Sequence, residues 1–276
     1  MPFTIFDPNM NKIDYPVGVT PLDFLVSAIE KERYIETVNG IPGNVNYGFD
    51  YKEREVTLNF WLRHYHGEHD QKLLKSELYA MLDSQPYFYV SDDRLPTRVL
   101  KLAVDEPYLP DRINGSNIST LEFKCQIIGL PFWRTKYTTQ DIQNSGYSAL
   151  VEKYGMADGI NINLPNYSFT DSTFSVWNGG NVTIDPRNMP LFIKMFYVKG
   201  TGTITNKTTG EIFKITEDWN NNHLTINGTK VIKSTSVNAL RSTNRKFITL
   251  VPGKNEIEIK NLIFKKAEFD FPYYFK

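Results

Sequence analysis

A chain of 276 residues, 41% hydrophobic and 22% charged, has the composition of a folded protein of about two domains rather than a disordered or fibrous one. Lys and Arg balance Asp and Glu at 31 each, so the chain as a whole is no general binder of polyanions. No stretch approaches the roughly 20 apolar residues of a membrane span. The opening "MPFTIFDPNMNKIDYP" has neither the basic start nor the apolar run of a signal peptide, and the single Cys125 excludes an internal disulfide. The chain is therefore expected to be made and kept in a cytoplasm, or to leave without translocation, with Cys125 a buried, inert thiol in "EFKCQIIGL".

In chain order, residues 3–6 and 12–15 read as a hairpin around "DPNMN". Its Asp7, Asn9, Asn11 and Asp14 echo a calcium loop, but Lys12 stands where the loop needs Gly and Gly18 where it needs Glu, so a hairpin turn is expected. An extended segment over 24–38 leads to "NGIPG", a double turn signal. After a strand over 47–51 comes the strongest strand in the chain, 55–64. Val56, Leu58, Phe60 and Leu62 lie on one side of it and Thr57, Asn59, Trp61 and Arg63 on the other. One long helix is expected over 69–83, with Leu73, Leu74, Leu78, Met81 and Leu82 on one half of the wheel, Asp70 at its positive end, and Gln85-Pro86 as its stop. Strands follow over 87–90, 98–104 and 118–128. Residues 1–135 form the first domain, 136–165 a polar linker with a short helix over 147–154 ended by Gly155, and 166–276 a second domain of short strands with turns about every ten residues.

Little in the sequence points to chemistry. His64, His66 and His69 lie close together in "HYHGEH" beside Glu68 and Asp70, and two imidazoles with a carboxylate can hold zinc; the spacing matches no zinc pattern, and a polar strand end turning into a helix explains it better. There is no G-x-S-x-G, and Cys125 has no His near it in sequence. The carboxylate pairs Asp92-Asp93 and Asp105-Glu106 fall in loops and read as turn formers. No catalytic residue, metal ligand or cofactor site is expected, and the protein is read as a non-enzyme. Trp177, Trp219 and Tyr273-Tyr274 are the remaining handle, as core or as exposed platforms. Trp219, in the loop-like "TEDWNNNH", is the one candidate partner contact.

Three groups of motifs carry a family resemblance. "IPGNVNYGFDYKEREVTLNFWL…HDQKLLKSELYAMLD", "TLEFKCQIIGLPFW", and the series "FSVWNGGNV", "ITNKTTGEIF", "LTING" and "KFITLVPGKNEIEI" occur in the order found in distal tail (Dit) proteins. That family comes from long, non-contractile-tailed bacteriophages of Gram-positive hosts, and the chain resembles it over nearly its whole length. The resemblance implies a mainly β protein. Its first domain would be a tail-tube-like β-sandwich or split barrel with one helix, and its second a galectin-like β-sandwich or jelly roll. It implies a structural virion protein at the tail tip, assembled in the host cytoplasm into a homohexameric ring. That ring would contact the tail tube protein, the tail-associated hub protein and, through the second domain, a receptor-binding protein, with DNA passing through its channel unread and no membrane involved. Charge fits: residues 1–135 hold 14 Lys and Arg against 19 Asp and Glu, and residues 136–276 hold 17 against 12, so the acidic half is the one that would line a DNA channel. The chain is short for the family and has no room for the insertions that serve some relatives as sugar-binding modules. The rival reading is a carbohydrate-binding β-sandwich module for host adhesion, which would need no ring.

Overall fold

The computed structural model describes residues 2–276 and divides them into two compact units, Met1–Trp133 and Arg134–Lys276. The first unit is built from β1 (Phe3–Phe6), β2 (Val19–Val26), β3 (Lys31–Glu36), β4 (Val45–Tyr51), β5 (Val56–Arg63), α1 (Gly67–Leu82), β6 (Phe88–Asp92), β7 (Arg98–Ala103), β8 (Asp111–Arg112) and β9 (Ile118–Ile127). Its main sheet runs β1-β6-β7-β9-β5-β2, antiparallel throughout, with β8 on β9.

The alternation read in the strongest strand sets this core. Val56, Leu58, Phe60 and Leu62 are all buried, while Trp61 on the other face is 47% exposed. A slip of one residue would exchange the two sets, so the burial of four apolar side chains pins the register of β5 against both neighbours. Phe60 packs edge-on to Phe3 at 5.1 Å and stacks on Phe123 at 5.9 Å. Leu74, Leu78 and Leu82 of α1 join the same core, whereas Leu73, expected with them, is exposed. Cys125 is buried in β9.

The second unit comprises β10 (Trp133–Thr138), α2 (Thr139–Tyr154), β11 (Ser168–Phe169), β12 (Thr173–Asn178), β13 (Phe192–Asn206), β14 (Glu211–Asn227), β15 (Lys230–Lys233), β16 (Val237–Asn238), β17 (Gly253–Lys260), β18 (Lys266–Asp270) and β19 (Pro272–Phe275). The strand β13 serves two ladders. Its first part, from Phe192 to Phe196, pairs with β18, and its last part, from Thr203 to Asn206, pairs with β17. Register shifts against β14 at Met195/Val198, Val198/Gly200 and Gly200/Gly202 separate the two parts. A strand that changes partners needs such bulges, because each inserts a bend and extra twist.

Residues 136–165 correct the expectation of a linker: they belong to the second unit, and α2 begins at Thr139, well before the short helix expected over 147–154. Thr138 and Asp141 form a capping box at its start. Gly146, at φ 77°, breaks it, and Gly155 closes it in the left-handed region with its N–H on the Val151 carbonyl at 2.7 Å. Its second half is the short helix expected over 147–154. Its first half is polar for a structural reason. Thr139 Oγ1 and Gln140 Nε2 each donate to the Phe269 carbonyl at 2.9 Å, and Gln143 Oε1 accepts from the Tyr167 N–H at 2.7 Å. Polar side chains that satisfy strand backbone look, in sequence, like solvent-facing ones.

Candidate assembly interface

Strands β3 and β4 form a two-stranded ribbon that pairs with no other strand among the described residues. It grows out of the β2–β5 pair, whose register continues through Ser27 N–H to Glu55 O and Glu30 N–H to Glu53 O, both 2.9 Å, into Lys31 opposite Tyr51. The segment 24–38, expected as one extended piece, is thus two strands with a step at residues 27–30. The turn signal "NGIPG" is the tip of this arm, which is why so strongly patterned a strand as β5 is preceded by so elaborate a turn.

Only the base of the arm packs on its own unit, where Tyr51 meets Phe132 edge-on at 5.6 Å. Every residue of β3 is exposed, and its large apolar side chains face solvent: Ile35 at 57%, Ile41 at 53% and Tyr47 at 63%. Its two faces differ in chemistry. On one, Lys31 Nζ lies 5.0 Å from the ring centroid of Phe49, Arg33 lies 5.5 Å from the same ring, and Phe49 packs edge-on against Tyr51 at 5.3 Å. On the other, Lys52 Nζ meets Glu32 at 2.5 Å and Tyr34 Oη donates to Asp50 at 2.8 Å. Those bonds raise the pKa of Tyr34, chiefly through the hydrogen bond to Asp50, and that of Lys52, chiefly through the bond to Glu32. A bulge between Arg33 and Ile35 then turns the outer half, where Tyr47 Oη donates to Glu36 at 3.0 Å. Sequence reading missed this element as a site. The signal was present: "KERYIE" lacks the apolar alternation of a strand with one buried face.

The residues singled out in sequence lie elsewhere. Trp219 corrects an expectation: it is in β14, not a loop, and is fully buried, so it is not a surface contact. Lys233 lies over its ring at 5.1 Å, and its indole N–H has no hydrogen-bond partner among the described residues. Trp177 donates to the Gly159 carbonyl at 2.8 Å, while Tyr273 and Tyr274 are buried. In the histidine segment, Asp70 accepts the backbone N–H groups of Tyr65 at 2.6 Å and His66 at 3.0 Å, which lowers its pKa and spends the carboxylate on the start of α1. Asp7 likewise accepts from Asn9 N–H and Asn11 N–H at 2.8 Å and holds a turn. Asp92 accepts the Arg94 N–H, Asp93 accepts the Thr4 hydroxyl, and Asp105 and Glu106 are exposed. Burial pushes the Cys125 thiol up to about 12. Among the described residues no group of three or more His, Cys, Asp and Glu is placed to hold a metal, and no helix is long and apolar enough to cross a membrane.

Residues 17–125, from just before β2 into β9, match the model of the phage tail protein RIFT-related domain. The match lies wholly within the first unit. The whole chain is similar in fold to the Dit (gp 19.1) protein of phage SPP1, described as a paradigm of the hub adsorption apparatus in phages that infect Gram-positive bacteria. The TM-score is 0.67 at 14% identity, over 99% of each chain. Two structures of the activated phage P2 baseplate, with Ca and with Sr, align with TM-scores of 0.48 and 0.46 at 14% identity, over 99% and 98% of this chain and 97% of theirs. No curated protein sequence matches this chain. The likeness to distal tail proteins read from the motifs is therefore a likeness of fold from β1 to β19.

Proposed function

We propose that this protein is the distal hub of a phage tail, a structural virion component that closes into a ring of six copies through its phage tail domain. The ring joins the tail tube protein on one side to the tail-associated hub protein on the other, and DNA passes through it. The second unit, read as a galectin-like sandwich, is free to hold a receptor-binding protein.

The arm is the observation that carries this reading. A two-stranded ribbon is marginal in water on its own, and contiguous exposed apolar side chains mark surfaces that become covered. A ring needs a heterologous contact, in which one surface of a subunit meets a different surface of the next. An arm with a cationic–aromatic face and an opposite face rich in carboxylates provides two such surfaces. Charge agrees: the unit spanning 1–133 holds 13 Lys and Arg against 19 Asp and Glu, a net −6, which lets a phosphate backbone slide past rather than bind. The carbohydrate-binding alternative loses its main support with the burial of Trp219.

The test is the molar mass of the purified chain in solution with negative-stain images of the same sample. Closed rings of a fixed multiple of 31.9 kDa support the reading. A monomer or an open fibre at every concentration refutes it.

A further inference from the structure

The second unit contains a cleft of about 620 Å³ between the start of β14 and the segment 244–249. Two carboxylates and four cations line it, and the carboxylates are already engaged. Asp185 takes the Arg187 guanidinium on both oxygens at 2.5–2.9 Å. Glu211 accepts from Thr249 N–H and Oγ1, both at 2.6 Å, and from Thr209 Oγ1 at 2.9 Å. Lys214, Arg245 and Lys246 are exposed, and their side chains have no partner among the described residues. Three unpaired cations therefore share one concavity.

Their backbone is held in place. Asn244 bonds β14 three times: its N–H to the Lys214 carbonyl, its Oδ1 from the Lys214 N–H, and its Nδ2 to the Ile212 carbonyl, at 2.9–3.0 Å. Arg245 sits at φ 56°, a conformation a non-glycine residue seldom adopts unless its surroundings impose it. The cleft is also partly apolar, through Ile212, 44% exposed, and Phe247, half-buried.

We infer that this cleft docks an acidic polypeptide segment of a partner protein. The segment brings carboxylates to Lys214, Arg245 and Lys246 and an apolar side chain to Ile212 and Phe247. A phosphate-bearing polymer would satisfy the cations but gain nothing from the apolar floor, so the combination favours a peptide. Holding their backbone in advance reduces the entropy lost on binding. The inference does not rest on the ring, since the cleft lies wholly within the second unit.

Fluorescence anisotropy tests it on the full chain with a labelled Glu-Leu-Glu-Glu-Leu-Glu peptide. Saturable binding is expected, about tenfold weaker for the peptide with Gln in place of Glu and for the Arg245→Ala/Lys246→Ala chain, and weaker for Ile212→Asn. Lys214→Gln, on a regular strand, repeats the test without touching the loop at Arg245. Equal binding by wild type and both cation variants overturns the proposal. So does an absence of saturable peptide binding, or inorganic polyphosphate binding at the cleft where the peptide does not.

Discussion

The arm of the first unit and the β13–β14 hairpin of the second are made alike: two antiparallel strands, a glycine-containing turn, bulges, and aromatic side chains along their length. They place those rings oppositely. Tyr47 is 63% exposed, whereas Trp219 is 0% exposed. What differs is the company each hairpin keeps. β13 is flanked by β17 and β18 and β14 by β15, while β3 and β4 have only each other. Aromatic content does not decide whether a hairpin is core or surface. A third strand and a second layer decide it, and among the described residues the arm has no third strand.

The largest expected effect separates the two directly. Trp219→Ala should cost about 3–5 kcal/mol of stability in chemical denaturation, as removal of a large buried ring does. Tyr47→Ala should cost at most about 0.5 kcal/mol, as at an exposed site. Comparable losses would break the comparison. Trp219→Phe sharpens it: the buried indole N–H has no hydrogen-bond partner among the described residues, so its removal sacrifices none, and most of the stability should survive.

A glycine pair gives a smaller difference. A Cβ on Gly179 would lie 2.0 Å from the Gly159 carbonyl oxygen and 2.6 Å from the Tyr273 ring, so Gly179→Ala should cost about 1–3 kcal/mol by overpacking. At the arm tip, Gly43→Ala meets nothing within 4 Å and bears only the left-handed backbone, at φ 85°, for about 1–2 kcal/mol at most. Thermal unfolding of the two variants should keep that order.

The same contrast explains what was legible in the sequence. β5 and α1 were, because each buries one regular face. Trp219 was not. In β14 its neighbours Glu217, Asp218 and Asn220 are exposed, and Trp219 lies four positions from Ile215 where their partners Gly200 and Gly202 on β13 lie two apart. The bulge destroys the two-residue period that marks a strand. The start of α2 was hidden because its polar side chains bond to the backbone near β18. The arm was legible as turn and strand but not as a site, since solvent-facing aromatics and core aromatics are the same letters.

The smallest effect concerns pH. Tyr34 donates to Asp50 on the arm's acidic face, and that bond holds the phenol's pKa above its ordinary 10.0. The protonated form is the favoured one, so its contribution is complete below the ordinary value and lost as pH rises through the raised one. An NMR titration of the Tyr34 ring should show the upward shift in the wild type and its reduction in Asp50→Asn. An unchanged titration would mean that the arm does not hold this face in order.

That the arm exists to meet another copy of the chain is best tested by the molar mass of an arm variant beside the wild type. Ile35→Lys with Tyr47→Lys alters two exposed side chains and no core contact, so the thermal midpoint should hold while closed assemblies give way to a species of 31.9 kDa. Assembly of the variant to the same closed mass as the wild type would contradict the account.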